Sequence, residues 1–253
     1  FNGQVIAYTF YDDQLLFSKK PLRTLEDFKG MKIRVHSTSL ADLANNLGAE
    51  AQFIPFAEVY AALDRGVVDA GFAGGKGTVG QKWYEIADYL HGPLNSNTHG
   101  IITMNLKKWD QLPTDIQQII LEEGQRTTEW IITQLPLWDQ EGVDLNLEGD
   151  GNSGMEWIKF SPEIASAIRQ TAIDVILPQW VERAGGPDTE AVQIFNKLIG
   201  PIINVQVNPD GSASSTGLAK TETKLVTKGQ NFKIQHAHLG RTSATWHAMV
   251  EFA

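Results

Sequence analysis

Residues 21–70 constrain the fold more than any other part of the chain, because strand-like and helix-like patterns alternate along them. Short apolar runs at 31–35, 51–54 and 67–72 are separated by segments in which apolar residues recur at helical spacing. This alternation predicts βαβ units and a largely parallel sheet. Arg34 lies next to the carboxyl end of the first strand, where an open α/β sheet places its ligand crevice. A cation there predicts a pocket for an anion.

The composition excludes several classes of function. The chain has 253 residues and a formal net charge of −9, so neither nucleic acid nor an anionic membrane surface is an expected partner. No apolar run approaches the length of about 18 residues that a membrane helix needs, and no signal peptide is visible. Cysteine is absent, which excludes disulfides, thiolate catalysis and cysteine-type zinc sites. We expect no cofactor and no stable membrane insertion.

The middle of the chain continues the α/β pattern. Gly74, Gly75 and Gly77 predict a loop after the strand at 67–72, and a helix is expected over 81–89. A long helix is predicted from Thr114 onward, and Pro136 should kink or end it. Residues 143–147 are predicted to form a strand.

The last part of the chain changes character. Helices are predicted over 161–184 and 189–198. The segment 206–230 is rich in Gly, Ser, Thr and Lys, which is typical of a flexible linker. Residues 231–253 then predict a strand followed by a helix that begins at Ala244.

Four motifs resemble one family, the substrate-binding subunits of TRAP transporters, which are the DctP-like periplasmic proteins. They are LEDFKGMKIRV (25–35), LGAEAQFIPFAEVYAALDRGVVDA (47–70), KWYEIADYL (82–90) and MNLKKWDQLPTDIQQII (104–120). The resemblance covers residues 1 to about 205. It implies an α/β, periplasmic-binding-protein-like fold of two lobes (type II-like), with mixed, mostly parallel sheets and a long helix that spans both lobes.

The resemblance also implies an organisation into lobes. Residues 1–13 and 106–205 would form parts of lobe I with its bracing helices, and 14–105 would form lobe II, followed by the linker. Residues 231–253 resemble the first strand and helix of a family member, so lobe I is expected to be incomplete. A fragment of two tandem modules, a circular permutant with a deletion, and a chimeric or misassembled reading frame remain alternatives.

Three residues are the first candidates for ligand contacts. The resemblance implies that Arg34 binds a substrate carboxylate, for which a planar guanidinium offers two parallel N–H donors. Gln14 lies where many family members have a second arginine, which suggests a ligand different from sialic acids. Phe56 lies where the family places an aromatic wall beside the ligand, although a role in the core is the alternative.

Four further residues complete the predicted ligand site. Phe72 and Gly74 follow the strand whose end contacts the ligand in the family, and the small residues there suggest a roomier pocket. Lys76 could add a second positive contact or simply be solvated. His238 falls near the end of the C-terminal strand, where the resemblance implies an approach to a cleft.

Two motifs carry less weight than they first suggest. The segment GFAGGKGT (71–78) does not have the spacing of a phosphate-binding loop. His236 and His238 lie on one face of a strand, but no third ligand is apparent nearby, so no metal site is predicted.

The resemblance implies a periplasmic binding protein that closes on a small organic acid and delivers it to the TRAP membrane permease subunits, without chemistry. The alternative is an enzyme of the same fold that acts on a small organic anion. It would need a base near Arg34, for which Glu58, His36 and His99 are candidates without an evident partner. A third possibility is that these 253 residues alone hold no competent site.

Overall fold

The computed structural model describes residues 2–94, 96 and 98–216, together with the backbone of 233–234 and 250–251. Residues 2–171 form one compact unit, and the residues from 172 onward belong to a second. No helix of the described residues combines the length and the apolar character needed to cross a bilayer.

The first unit alternates strands and helices. Its strands are β1 (Gly3–Phe10), β2 (Gln14–Ser18), β3 (Lys32–Val35), β4 (Glu50–Phe53), β5 (Ala70–Gly74), β6 (Tyr89–Gly92), β7 (His99–Asn105) and β8 (Glu156–Lys159). Its α-helices are α1 (Thr38–Asn46), α2 (Val59–Asp64), α3 (Gly75–Gly80), α4 (Leu106–Trp109), α5 (Thr114–Glu148) and α6 (Pro162–Thr171). Short 3₁₀ turns cover Leu25–Phe28, Phe56–Glu58 and Trp83–Glu85.

A six-stranded sheet forms the centre of this unit, in the order β4-β3-β5-β2-β6-β8. Strand β2 runs antiparallel to β5 and β6, and the other neighbours are parallel. The predicted βαβ alternation and mostly parallel sheet are therefore confirmed. From β3 the chain moves through α1 to its neighbour β4, and from β4 it returns through α2 in the opposite direction to β5. Since both crossovers are right-handed, α1 and α2 lie on opposite faces of the sheet.

The face covered by α2 carries the described apolar core cluster. Leu15, Phe17 and Ala73 from the strands pack there with Trp83, which is fully buried. The Phe17 and Trp83 rings meet edge to face, with centroids 5.2 Å apart. Apolar residues of α5 pack at the margin of the same cluster, so α5 covers this face as well.

Helix α5 approaches two other elements closely because glycine faces each of them. A Cβ on Gly124 would overlap the Ile6 carbonyl of β1, which pairs antiparallel with β7. A Cβ on Gly142 would lie 2.7 Å from the Gly75 carbonyl carbon of α3. One long helix therefore braces both the β1–β7 ribbon and the central sheet.

Helix α5 excludes one of two alternatives at Pro136, a kink or an end, and corrects one predicted strand. It continues through Pro136 to Glu148, so it does not end at the proline, and residues 143–147 are helical rather than a strand. Asn146 explains the difference. Its buried amide donates to the carbonyls of Gly142 and Gly75, and these contacts outweigh the local β-like pattern of apolar residues.

The predictions of a glycine-rich loop and of a helix after it are both wrong. Residues Gly75–Gly80 form α3, and only Trp83–Glu85 of the segment 81–89 is helical, as a 3₁₀ turn. Glycine disfavours a helix in isolation, but here it permits the contact between the α3 and α5 backbones. Tertiary packing therefore decides the conformation.

In the second unit the described helices are α7 (Leu177–Arg183), α8 (Glu190–Ile194) and α9 (Gly200–Ile203). Its strands are β9 (Val205–Val207), β10 (Ala213–Ser215), β11 (Lys233–Ile234) and β12 (Val250–Glu251). Segments of π-helix cover Ala172–Ile176 and Phe195–Ile199. Helical segments therefore lie on both sides of residues 184–189, as the predicted helices over 161–184 and 189–198 require.

Strands β9 and β10 form a hairpin over part of the predicted linker. Asp210 accepts hydrogen bonds from the Ser212 amide and hydroxyl, so a polar composition here makes a turn. The remainder of the predicted linker, and His238, lie outside the described residues. Strand β12 occupies two positions for which a helix was predicted, and it pairs with β11.

His91 is a fully buried titratable group on β6. Its Nε2 lies 2.9 Å from Ser18 Oγ, and that hydroxyl donates to the Lys20 carbonyl. Nε2 is therefore the donor to Ser18, and Nδ1 has no partner among the described residues. Burial first, and the charge of Arg23 second, lower the pKa of His91 to about 4, because a proton on Nδ1 would lack an acceptor.

We expect the unfolding free energy to depend on pH through His91. The pKa of His91 is about 4 in the folded protein and 6.5 in the unfolded chain. Its contribution to the unfolding free energy is therefore full above pH 6.5 and is lost as the pH falls to about 4. The loss should be about 3 kcal/mol, from ~1.4 kcal/mol per pKa unit. Urea unfolding at pH 7 and pH 4 measures it. The difference should shrink in His91→Gln and persist in His99→Gln, which alters an exposed histidine; equal pH dependence in His91→Gln and wild type would contradict the assignment.

Gly142→Ala should destabilise the first unit. The new Cβ would lie 2.5 Å from the Lys76 nitrogen and 2.7 Å from the Gly75 carbonyl carbon, both backbone atoms that cannot rotate away. We expect a loss of about 1–3 kcal/mol in urea unfolding, as for other overpacked sites. Gly80→Ala is the matched control, because nothing lies within 4 Å of its Cβ, and its effect should stay within about 1 kcal/mol. Equal midpoints for the two variants would disprove the close packing.

Candidate functional site

The chain leaves the carboxyl ends of the neighbouring strands β3 and β5 toward opposite faces of the sheet. After β3 it enters α1, and after β5 it enters α3, which packs with α5 on the face that α2 covers. Divergent connections of this kind open a crevice outside the sheet edge, and ligands of open α/β sheets bind in such crevices. The residues at this edge therefore form the candidate site.

Arg34 lies at the centre of this edge, one residue before the end of β3. Its side chain is fixed by two backbone acceptors: Nε donates to the Ile54 carbonyl at 2.9 Å, and Nη1 donates to the Phe72 carbonyl at 2.7 Å. A guanidinium has five N–H groups. The other three form no hydrogen bond with any described residue.

Arg34 is only 3% exposed, yet no described carboxylate forms an ion pair with it. Burial lowers the pKa of the guanidinium, which nevertheless stays charged at neutral pH because arginine is so strong a base. A buried cation without a counter-ion costs free energy. A bound anion would offset that cost.

Phe56 covers the guanidinium from the 3₁₀ turn after β4. The Arg34 Cζ lies 5.8 Å from the centre of the Phe56 ring, within cation–π range. The ring is 37% exposed and also packs against Trp83, with centroids 5.7 Å apart. Phe56 thus joins the core on one side and leaves part of its ring uncovered beside Arg34.

Gln14 and His36 form a polar pair at the same edge. Gln14 begins β2 and His36 follows β3, and His36 Nε2 lies 2.8 Å from Gln14 Oε1. Partial desolvation first, and the positive charge of Arg34 second, lower the pKa of His36. The pair is therefore neutral at pH 7, with Nε2 as the donor, and it spans the end of β5.

The other two candidates on β5 differ in what they offer. The Phe72 side chain is 1% exposed and belongs to the core, so the atom it presents to Arg34 is its carbonyl oxygen. The space beside Gly74 is not empty, because a Cβ there would overlap the Asp12 carboxylate. The roomier pocket expected at Gly74 is therefore filled on that side by Asp12.

Lys76 is not a free cation. Its Nζ forms an ion pair with Glu141 of α5, and both side chains remain partly exposed. Its backbone amide donates to Asp12 Oδ2 at 2.7 Å. Lys76 and Glu141 together add no net charge to the edge.

Two adjacent carboxylates in the segment between β1 and β2, together with Asp139 of α5, connect this region by hydrogen bonds. Asp12 accepts from α3, Asp13 Oδ1 accepts from the Ser96 amide at 2.7 Å, and Asp139 of α5 accepts from the Asp13 amide at 2.7 Å. Burial, followed by the charges of Asp12 and Asp13, raises the pKa of Asp139. The adjacent acids in the sequence were the available signal, but their partners could not be read from it.

Of the three candidate bases, only His36 lies at this edge, where it pairs with Gln14. Glu58 and His99 are exposed, and neither forms a hydrogen bond or an ion pair with Arg34. Within the described ranges, no three His, Asp or Glu side chains are grouped in a way that could hold a metal ion. The arrangement at the edge can bind and orient an anion through Arg34, and it offers neutral donors beside it.

Comparison with known proteins identifies the family. Residues 3–182 match the model of DctP, the bacterial extracellular solute-binding protein family 7. A solute-binding protein of Sulfitobacter sp. NAS-14.1 is 35% identical over 124 residues, which are 48% of this chain and 37% of that protein. A monocarboxylate 2-oxoacid-binding periplasmic protein of Nostoc sp. is 26% identical over 165 residues, 62% of this chain and 43% of that protein.

Solved structures share the fold. A TRAP periplasmic solute-binding protein from Desulfovibrio salexigens, solved with orotic acid bound, has a TM-score of 0.69 and 23% identity, and the match covers 78% of this chain and 62% of that one. The chain therefore spans less than two thirds of the length of these relatives. The family match extends over well more than half of the chain, so it belongs to the DctP family of bacterial extracellular solute-binding proteins.

Proposed function

We propose that this chain provides the binding site of an extracytoplasmic receptor for a small organic carboxylate. Its family consists of solute-binding proteins rather than enzymes. Two of its relatives are named or solved with organic acids, a 2-oxoacid in one case and orotic acid in the other. An acid of similar size is the solute we infer for this chain.

The observation that supports this proposal best is the state of Arg34. It is a buried guanidinium with no carboxylate partner in the described part of the chain, and it keeps three N–H groups unused. Its two bonds to the Ile54 and Phe72 carbonyls hold the plane of the guanidinium in place. A fixed plane suits recognition of a carboxylate, whose two oxygens accept parallel N–H bonds.

The remaining predicted contacts fit around that anchor in the proposal. Phe56 would provide an apolar surface beside the solute, and Gln14 would provide a polar contact. Gly74 and the Phe72 backbone would bound the far side, while Lys76 would act only through its pairing with Glu141. His238 stays a prediction from the sequence.

No step of bond making is part of the proposed function. The Ser18–His91 hydrogen bond is inside the core, where both residues are 0% exposed. A buried pair of that kind cannot reach a solute, so it serves stability. The proposed role is therefore binding in the periplasm and delivery of the acid to TRAP-type membrane subunits.

Arg34→Gln should abolish binding of the acid. Charge-assisted hydrogen bonds contribute about 1.5–3 kcal/mol each, so the loss of two should raise Kd at least ~100-fold. The solute is first found by a thermal-shift screen of small 2-oxo, 2-hydroxy, cyclic and dicarboxylic acids, since a ligand in excess of its Kd raises the melting temperature. Calorimetry with the best acid then gives Kd for wild type and variant.

Arg23→Gln is the matched control. Arg23 forms an exposed ion pair with Glu156, and its side chain is 60% exposed, so its replacement should leave Kd within about threefold. An unchanged Kd in Arg34→Gln would overturn the anchor. A screen in which no acid stabilises the protein would overturn the proposed function itself.

A further inference from the structure

The charges around Arg34 limit what kind of acid fits. Lys76 is neutralised by Glu141, which leaves Arg34 as the one unpaired cation that the described residues place at this edge. Asp12 puts a carboxylate beside Gly74, at the end of the adjacent strand. Its bond to the Lys76 amide orients that carboxylate but does not remove its charge. The edge therefore offers the positive charge of Arg34, and Asp12 places a negative charge near it.

Gln14 supplies an unused neutral donor at the same place. It is 5% exposed, and its Oε1 is occupied by His36. Its Nε2 donates no hydrogen bond to any described residue. An amide donor without a protein partner can donate to an acceptor oxygen of a solute. Since His36 holds the amide oxygen, the free end of Gln14 is the NH₂ group.

We propose that this edge is built for a solute with a single carboxylate, held by Arg34, and a neutral oxygen acceptor, held by the Gln14 amide. This inference rests on the proposed function and deepens it. A keto, hydroxyl or amide oxygen meets the Gln14 donor without carrying charge. A second carboxylate would find no second cation and would be repelled by Asp12, so the site discriminates against dicarboxylates.

Matched pairs of acids test the discrimination. Succinamate differs from succinate only in that a carboxamide replaces one carboxylate, and malonamate with malonate and glutaramate with glutarate extend the comparison to other lengths. Calorimetry on the purified wild-type protein at pH 7.5 should give a Kd at least tenfold lower for the amide acid of whichever length binds. Equal or tighter binding of the diacid would overturn the inference.

Gln14→Arg should change the preference. It adds a second cation beside Arg34, so the diacid should gain at least tenfold relative to its amide partner. Gln111→Arg adds the same charge at an exposed position before α5, and it should leave the ratio unchanged. Urea midpoints check that both variants fold. If Gln14→Arg does not fold, the ratio of the Kd values of diacid and amide acid in the wild type still tests the inference.

The outcomes separate the two proposals. Preference for the diacid, together with loss of binding in Arg34→Gln, would reject the single-carboxylate inference and support the receptor role. If the acids bind with the same Kd in wild type and in Arg34→Gln, both the receptor role and the inference are rejected. Both are also rejected if neither these pairs nor any other acid binds. Preference for the amide acids that is lost in Arg34→Gln would support both.

Discussion

The buried guanidinium of Arg34 organises the carboxyl edge of the central sheet. Two carbonyls from neighbouring segments hold it, an aromatic ring covers it, and no described carboxylate neutralises it. Folded proteins rarely bury a lone charge, because desolvation is expensive and an ion pair or bound ion normally offsets it. Under the proposed function, the missing partner of Arg34 is the carboxylate of the bound solute.

The fold makes this arrangement possible through strand order. Strand β3 lies between β4 and β5. The loops that follow β3 and β5 therefore lead to opposite faces of the sheet, next to Arg34. Strand β2 runs antiparallel on the other side of β5 and brings Gln14 to the same edge. Residues far apart in sequence, such as Gln14 and His36, therefore meet over the end of one strand.

The sequence predicted the parts of the structure that depend on local pattern. The βαβ alternation of residues 21–70 and the place of Arg34 near the end of a strand both follow from apolar periodicity. The contact of Gln14 with His36 could not be predicted from local pattern, because it depends on the order of β3, β5 and β2 in the sheet. The helical state of Gly75–Gly80 was missed because it arises from packing against Gly142, which opposes glycine's own preference. The hairpin over 205–215 was missed because polar residues occur in turns and in linkers alike.

The short connector around Asp12 and Asp13 is bonded on three sides, to α3, to α5 and to the Ser96 segment. Motion of the β1–β7 ribbon against the central sheet would strain all of these bonds at once, since they share one stretch of backbone. The connector therefore resists that motion through several hydrogen bonds as well as through the covalent chain.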